Sequence, residues 1–182
     1  MKICMTGGYD YEQILKNFYE DVFILSKRDG IDISKNDDRK KILEQSLKYD
    51  IFVNHAYNIE FTDDGINPYF YQIELLNELI LNWKDHEKNG FIINTGSNMV
   101  SKKLGKDYGY SDSQYISSKK LLQDLCLNAQ EMHKNKEINF KVSILNVPGL
   151  TKIGGTFTEK DFVNSVNFIV NNSQYVSRID FN

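Results

Sequence analysis

The sequence predicts an α/β fold built on a parallel sheet, carried in a single domain over residues 1–182. Short apolar runs alternate with longer amphipathic stretches, the pattern left when buried strands and packed helices take turns along a chain. The first apolar run leads straight into two glycines, Gly7 and Gly8. No repeat, low-complexity tract or linker divides the 182 residues, a length that one hydrophobic core can serve.

The elements follow in order. Residues 2–6 read as a buried strand, and 11–20 place Ile14, Leu15, Phe18 and Tyr19 at helical spacing. Residues 22–25 form a second strand and 31–34 a short third one. Ser34 or Asn36 is placed to cap the helix that carries Ile42, Leu43 and Leu47. A fourth strand spans 51–54, and a helix over about 69–84 aligns Ile73, Leu76, Leu79, Ile80 and Trp83. Residues 91–95 form a fifth strand. The longest helix runs from Ser111 to about His133 with Leu121, Leu122, Leu125 and Met132 inward. A sixth strand, 140–147, is stopped by Pro148-Gly149. Thr158 and Asp161 have capping-box spacing for a last helix bearing Phe162, Val166, Phe168 and Ile169. A terminal strand at about 175–181 follows.

Composition narrows the function. Hydrophobic residues make up 41% and charged residues 26%, which fits a globular chain rather than a disordered one. A net charge of −3 and a pI near 5.6 give no electrostatic basis for nucleic acid or an anionic membrane as partner. The lysines alternate with Asp and Glu, as on a solvated face. Cys4 and Cys126 are far apart and sit in apolar or helical runs, which predicts core thiols in a reducing compartment. No stretch approaches the ~20 apolar residues of a membrane span, so a soluble, cytoplasmic protein is expected. His55, His86 and His133 lie on separate elements, without metal-ligand spacing.

A strand ending in Thr6-Gly7-Gly8 and entering a helix is where Rossmann-type folds hold a dinucleotide pyrophosphate, because glycines let backbone approach and helix N-termini attract anions. Here the turn continues Tyr9-Asp10-Tyr11-Glu12-Gln13, with bulky and acidic residues in place of further glycines. After the second strand comes Ser26-Lys27-Arg28. Basic residues at that point favour the extra phosphate of NADP over the ribose hydroxyls of NAD, although a plain basic turn has the same composition.

Only one tyrosine of the 11 has a lysine four residues later, Tyr115 with Lys119. Positions i and i+4 share a helix face, so the ammonium can lie beside the phenol and favour phenolate, which suits a general acid/base. Ser97 follows the strand that begins after Gly90, at the carboxyl end where α/β active sites form, and can donate to a substrate carbonyl.

Thr6-Gly7-Gly8, Asp32-Ile33, Val53-Asn54-His55-Ala56, Gly90 through Ser97, Tyr115 with Lys119, and Pro148-Gly149-Leu150-Thr151 occur in that order. The set resembles the short-chain dehydrogenases/reductases over nearly the whole chain. The resemblance implies a Rossmann-type, doubly wound parallel sheet of about seven strands with helices on both faces, and NAD(P)(H) lying across the strand ends. It implies Tyr115 as general acid/base, Ser97 as carbonyl-orienting residue, and Lys119 as ligand of the nicotinamide ribose. Cofactor contacts are expected from Thr6, Gly7, Gly8, Tyr9, Ser26, Lys27, Arg28, Asp32 (at the adenine), Asn54, His55, Ala56, Lys119, Pro148, Gly149, Leu150 and Thr151, with NADP(H) preferred.

The chain departs from the family pattern in four places. The later glycines of the turn are missing, and Tyr57 stands where a glycine is usual. The helical asparagine of the proton relay has no match, with Tyr69 or Gln72 as stand-in. About ten residues separate Thr151 from the last helix, too few for the usual substrate lid. A wide exposed cleft above Ser97 and Tyr115, rimmed by Gly154 and Gly155, is therefore expected. The function expected is NADP(H)-preferring oxidation or reduction of a small alcohol or carbonyl. The alternatives are a degenerate nucleotide sensor or scaffold, and a sugar-nucleotide epimerase or dehydratase. A homodimer or homotetramer is expected through the helices at 69–84 and 112–133, with Leu79, Trp83, Leu122 or Leu125 forming the shared strip.

Overall fold

A computed structural model of the chain describes residues 1–8, 11–56, 69–101, 110–148 and 157–181. These contain six strands: β1 (Lys2–Thr6), β2 (Asp21–Leu25), β3 (Ile51–Asn54), β4 (Phe91–Ser97), β5 (Lys141–Val147) and β6 (Arg178–Asp180). The helices are α1 (Glu12–Leu15), α2 (Asn36–Ser46), α3 (Phe70–Asp85), α4 (Tyr110–Lys134) and α5 (Glu159–Asn171). All pairings are parallel, in the order β2-β1-β3-β4-β5-β6. The chain steps outward from β1 to β2 and then returns to the other side of β1 as β3. A crevice therefore opens at the strand ends between β1 and β3, where doubly wound folds bind ligands.

Strand residues alternate between two cores. Cys4 and Phe52 face a core shared with α2, α3 and α4, while Ile3, Met5, Ile51 and Val53 face one shared with α1 and α5. Helices therefore cover both faces. Trp83 anchors the first core: it is fully buried, its indole N–H donates to Ser46 Oγ at 2.9 Å, and its ring meets Phe140 edge-on. In the second core α5 is started by the capping box. Thr158 Oγ1 accepts from the Asp161 N–H at 3.2 Å, and Asp161 Oδ2 accepts from the Thr158 N–H at 2.9 Å.

Several sequence expectations are corrected. Residues 31–34 form no strand, because side chains satisfy the backbone groups that a ladder would use. Asp32 Oδ1 accepts from the Ser34 N–H and hydroxyl, Asp38 Oδ2 accepts from the Asp32 N–H, and Arg39 Nη1 donates to the Ile33 and Ser34 carbonyls. This leaves six strands among the described residues, not seven. With Ser34 engaged there, Lys35 takes the N-cap of α2 without a side-chain cap. The helix expected over 11–20 contracts to the four residues of α1. Phe18, Leu121 and Phe168 are exposed, at 44%, 46% and 54%, and so are not inward positions. Leu79, Trp83 and Leu122 are fully buried within the monomer, which removes them from any intersubunit strip. Cys4 and Cys126 are free and buried, their thiol pKa values raised mainly by desolvation. Among the described residues no helix is long and apolar enough to cross a membrane.

Candidate active site and nucleotide pocket

The carboxyl ends of β1, β2 and β3 open onto a cavity of about 280 Å³ lined by Gly7, Gly8, Ser26, Lys27, Asp32, His55 and Ala56, all expected cofactor contacts. Both glycines are required by geometry. Each has a positive φ, +69° at Gly7 and +66° at Gly8. A Cβ on Gly8 would come within 2.5 Å of Met5 and of the Tyr11 ring, and one on Gly7 within 3.1 Å of Ala56. The Gly7 N–H donates to the Leu25 carbonyl at 2.7 Å, tying the turn to the end of β2.

Thr6 and Asn54 do not face the cavity. Both are fully buried, and they shape the site from behind. Thr6 Oγ1 accepts from the His55 and Ala56 N–H groups at 3.2 and 3.3 Å and donates to the Val53 carbonyl. Asn54 Nδ2 donates to the Gln72 carbonyl at 2.9 Å and to Asn94 Oδ1 at 3.0 Å, bridging β3, α3 and β4.

On the β2 side, Ser26 donates to Asp29 at 2.7 Å, and the Lys27 ammonium lies 3.5 Å from Asp32. Partial burial opposes ionisation of Asp32, but the Ser34 hydrogen bonds and the Lys27 charge outweigh it and hold the carboxyl below its ordinary value. Arg28 is exposed in the turn Lys27–Asp29, just outside the cavity lining. Glu12 is paired with Lys16 at 2.6 Å, which offsets its charge at the start of α1.

His55 is half-buried between two rings, edge-on to Tyr11 at 5.2 Å and to Phe162 at 5.1 Å. Its Nδ1 lies 3.0 Å from Thr95 Oγ1. Desolvation, with the Lys119 charge second, pushes its pKa down to about 3, so it remains a neutral imidazole.

The end of β4 carries the second half of the site. Ser97 is 4% exposed, and its Oγ accepts from the Met99 N–H at 3.2 Å. Lys119 is 2% exposed, with its ammonium 5.6 Å from the Tyr115 ring centre, so the helical spacing does bring the pair together. Its Nζ donates to Gln72 Oε1 at 2.6 Å and to the Thr95 carbonyl at 3.0 Å. Burial pushes its pKa down to about 7. Tyr115 is half-buried and meets Tyr69 edge-on at 5.1 Å. A general acid/base candidate thus sits against a lysine whose charge is poised near neutral pH.

Of the two residues expected beneath a wide, exposed cleft, Ser97 is buried and Tyr115 half-buried. Pro148 lies apart from the cavity, in a groove with Phe157, Phe168 and Phe181. Tyr9, Tyr57, Gly149, Leu150, Thr151, Gly154 and Gly155 fall outside the described residues. Thr95 and Tyr11 were not singled out from the sequence: a threonine in a strand and a tyrosine beside a turn carry no spacing signal of their own.

No protein-family model matches the chain, and neither does any curated protein. Solved structures do. The chain is similar to a 3-ketoacyl-(acyl-carrier-protein) reductase from Brucella melitensis complexed with NADH, with TM-score 0.69 and 16% identity, covering 97% of this chain and 94% of that one. It is similar to a short chain dehydrogenase from Burkholderia cenocepacia in complex with NADP, at TM-score 0.71 and 13% identity over 100% and 87% of the two chains. A GDP-L-fucose synthetase from Naegleria fowleri bound to NADP aligns at TM-score 0.72 and 15% identity over 99% and 76%. At these identities the likeness is one of fold: the chain has the parallel, Rossmann-like fold that short-chain dehydrogenase/reductase enzymes share.

Proposed function

We propose that this chain is an NAD(P)(H)-dependent oxidoreductase of the short-chain dehydrogenase/reductase kind, reducing a small carbonyl compound or oxidising a secondary alcohol. The observation that carries this reading is the placement of two chemistries at the same ends of one parallel sheet. A glycine-lined cavity of about 280 Å³ opens at β1–β3, and the Tyr115–Lys119 pair stands beside β4.

A nicotinamide dinucleotide suits the residues present. Gly7 and Gly8 line the cavity, the Lys27–Asp32 pair supplies charged groups, and Ser26 supplies a hydroxyl where the adenosine half belongs. Lys119 would hold the nicotinamide ribose. When bound, the nicotinamide supplies or accepts the hydride, and the rest falls to this chain. Tyr115 gives its phenolic proton to the carbonyl oxygen in reduction and takes it back in oxidation. The Lys119 ammonium over its ring favours the phenolate and so eases that transfer. Ser97 Oγ already accepts the Met99 amide, so its own proton remains to donate to the substrate oxygen.

Lys27 and Arg28 favour NADP(H). NADPH should bind more tightly than NADH, and Arg28→Ala should remove most of the difference, since a charge-assisted phosphate contact contributes roughly 1.5–3 kcal/mol. Fluorescence titrations with both cofactors measure this, and equal affinities in the wild type would contradict the preference. A second reading, a sensor or scaffold that binds nucleotide without turnover, is favoured by one observation. Tyr11 is buried against Gly8 and the following helix has only four residues, a reduced diphosphate cradle. NADPH binding with no oxidation by any carbonyl compound would favour it.

The same proposal includes a cytoplasmic setting, in keeping with the free, buried Cys4 and Cys126, and assembly into a homodimer or homotetramer. The exposed Leu121, with Leu125 and Ile73, lines a groove between α3 and α4 shared with Glu74, Asn77, Asp124 and Asn128, and it is here that a second copy would pack. Leu121→Glu should convert an oligomer into a monomer in sedimentation, with the melting of the isolated fold little changed. A wild-type chain that is already monomeric at high micromolar concentration would contradict this.

A further inference from the structure

His55 follows β3 and lines the cavity, its ring held edge-on by Tyr11 and Phe162 at interplanar angles of 77° and 67°. Its one hydrogen bond among the described residues joins Nδ1 to Thr95 Oγ1 at 3.0 Å. The distance leaves the direction of that bond open, because a neutral imidazole has one donor and one acceptor nitrogen and a hydroxyl can act as either. The surroundings of Thr95 decide it. The residue is 4% exposed, and among the described residues its hydroxyl proton has no acceptor other than His55 Nδ1. Were Nδ1 to carry the imidazole proton, that hydroxyl would be buried with its own proton unpaired, a costly arrangement. Thr95 therefore donates, and the imidazole proton sits on Nε2. Burial also keeps the ring uncharged, with its pKa pushed down to about 3.

We infer that His55 presents its Nε2–H to the cavity as a fixed donor for an acceptor oxygen in the linking part of a bound dinucleotide, its diphosphate or the adjoining ribose, with Thr95 setting the tautomer. The choice of ligand rests on the reading of the cavity as a dinucleotide site, while the tautomer stands on geometry. The place follows from the strand order. Ser26, Lys27 and Asp32 stand at the β2 end of the cavity, and Lys119 lies beyond β3, against the Thr95 carbonyl of β4. His55 comes between them, on the same cavity wall as Gly7, Gly8 and Ala56. A ligand that reaches from one end to the other passes His55 with the part that joins its two halves.

The chemistry of the position is specific. A donor selects phosphate, ether and hydroxyl oxygens and gives nothing to a cationic group. An uncharged one does so without adding a cation beside Lys119. Glutamine can bring an amide N–H about as far as Nε2, whereas asparagine reaches only as far as Nδ1 and so keeps the Thr95 contact alone.

The first test needs no ligand. Long-range proton–nitrogen NMR of the full chain reads the tautomer of each of the three histidines, with the His55 signals assigned by their loss in His55→Asn. The expected form is Nε2–H, and in Thr95→Val, where the hydroxyl proton is gone, the Nδ1–H form should appear beside it. A His55 that carries its proton on Nδ1 in the wild type would overturn the inference. The second test is affinity for NADPH. His55→Asn should weaken binding about tenfold or more, the loss expected for one hydrogen bond to a charged oxygen, while His55→Gln should stay within about threefold. Packing on Tyr11 and Phe162 is lost in both variants, so a difference between them reports the donor and not the ring. ADP-ribose, which keeps the diphosphate and both riboses, should show the same contrast. Adenosine 2′,5′-bisphosphate, which lacks the diphosphate and the second ribose, should bind both variants alike. Equal losses of NADPH affinity in the two variants would leave His55 a packing residue and overturn the assigned contact. If the variants do not fold, the wild-type Nε2–H signal should move on saturation with NADPH, and a signal that stays in place would overturn the contact as well. A wild-type chain that binds no NADPH would refute the oxidoreductase reading and the ligand with it, while the tautomer would still decide whether Thr95 sets a donor at the cavity.

Discussion

Tyr115→Phe should lower turnover by about 10²–10⁴-fold, the range a positioned general acid/base contributes, while leaving NADPH affinity within about threefold. The asymmetry follows from what the substitution removes. The ring remains, so its packing on Tyr69 and its place under the Lys119 ammonium are kept. Only the phenolic proton and oxygen are lost, and these act on the substrate rather than on the cofactor. The substituted chain should therefore fold and bind normally but fail to deliver a proton as the carbonyl oxygen gains charge. Parallel binding and single-turnover measurements on wild type and variant check this. A variant within about tenfold of wild-type turnover would remove Tyr115 from the general acid/base role assigned here.

The second large effect is on stability and its dependence on pH. In the unfolded chain Lys119 keeps its proton up to the ordinary lysine value of 10.5, but in the fold only to about 7. Between those values the unfolded state binds a proton that the folded state does not, so stability from this group rises with pH across the window. The slope is about 1.4 kcal/mol per pH unit for one proton. Below pH ~7 both states are protonated and the full cost of the buried ammonium is present. Lys119→Met removes the titration. Its unfolding free energy, compared with that of the wild type in denaturant melts, should be relatively highest below pH ~7 and lose ground by a few kcal/mol toward pH ~10. The Gln72 and Thr95 oxygens left without the ammonium add a constant penalty to the variant but not a slope. Parallel stability curves for the two proteins would mean that Lys119 titrates as an exposed lysine does.

The strands were legible because a parallel strand buried on both faces leaves an unbroken apolar run. Ile51, Phe52 and Val53 are all fully buried, on alternating sides. The stretch 31–34 has the same alternation in miniature, but Asp32, Ser34, Asp38 and Arg39 satisfy its backbone, and a run of four residues cannot reveal such capture. On α4 the leucines at 121, 122 and 125 are equivalent by composition, and only the direction in which the helix docks leaves Leu121 exposed. Within the site, the Tyr115–Lys119 pairing was legible because it is local, four residues apart on one helix. Gln72 was visible only as a stand-in for the relay asparagine, and its contacts were not legible, since its partners Asn54 and Lys119 lie 18 and 47 residues away along the chain. Three separate elements must fold together before that glutamine has its bonds. The Rossmann-type glycine turn was visible in part. Gly7 and Gly8 line the cavity at the strand end as expected, while their left-handed conformation and the role of Tyr11 as a ring packed on His55 and Phe162 emerge only in three dimensions.

The central claim, that the cavity at the ends of β1, β2 and β3 holds a nicotinamide dinucleotide, is tested most directly by following backbone amide signals during titration with NADPH. Saturable shifts concentrated at Gly7, Gly8, Ser26, Lys27, His55 and Ala56, and extending to Lys119, are the predicted result. Signals that stay fixed throughout the titration, or that move only around the groove of Phe157, Phe168 and Phe181, would contradict it.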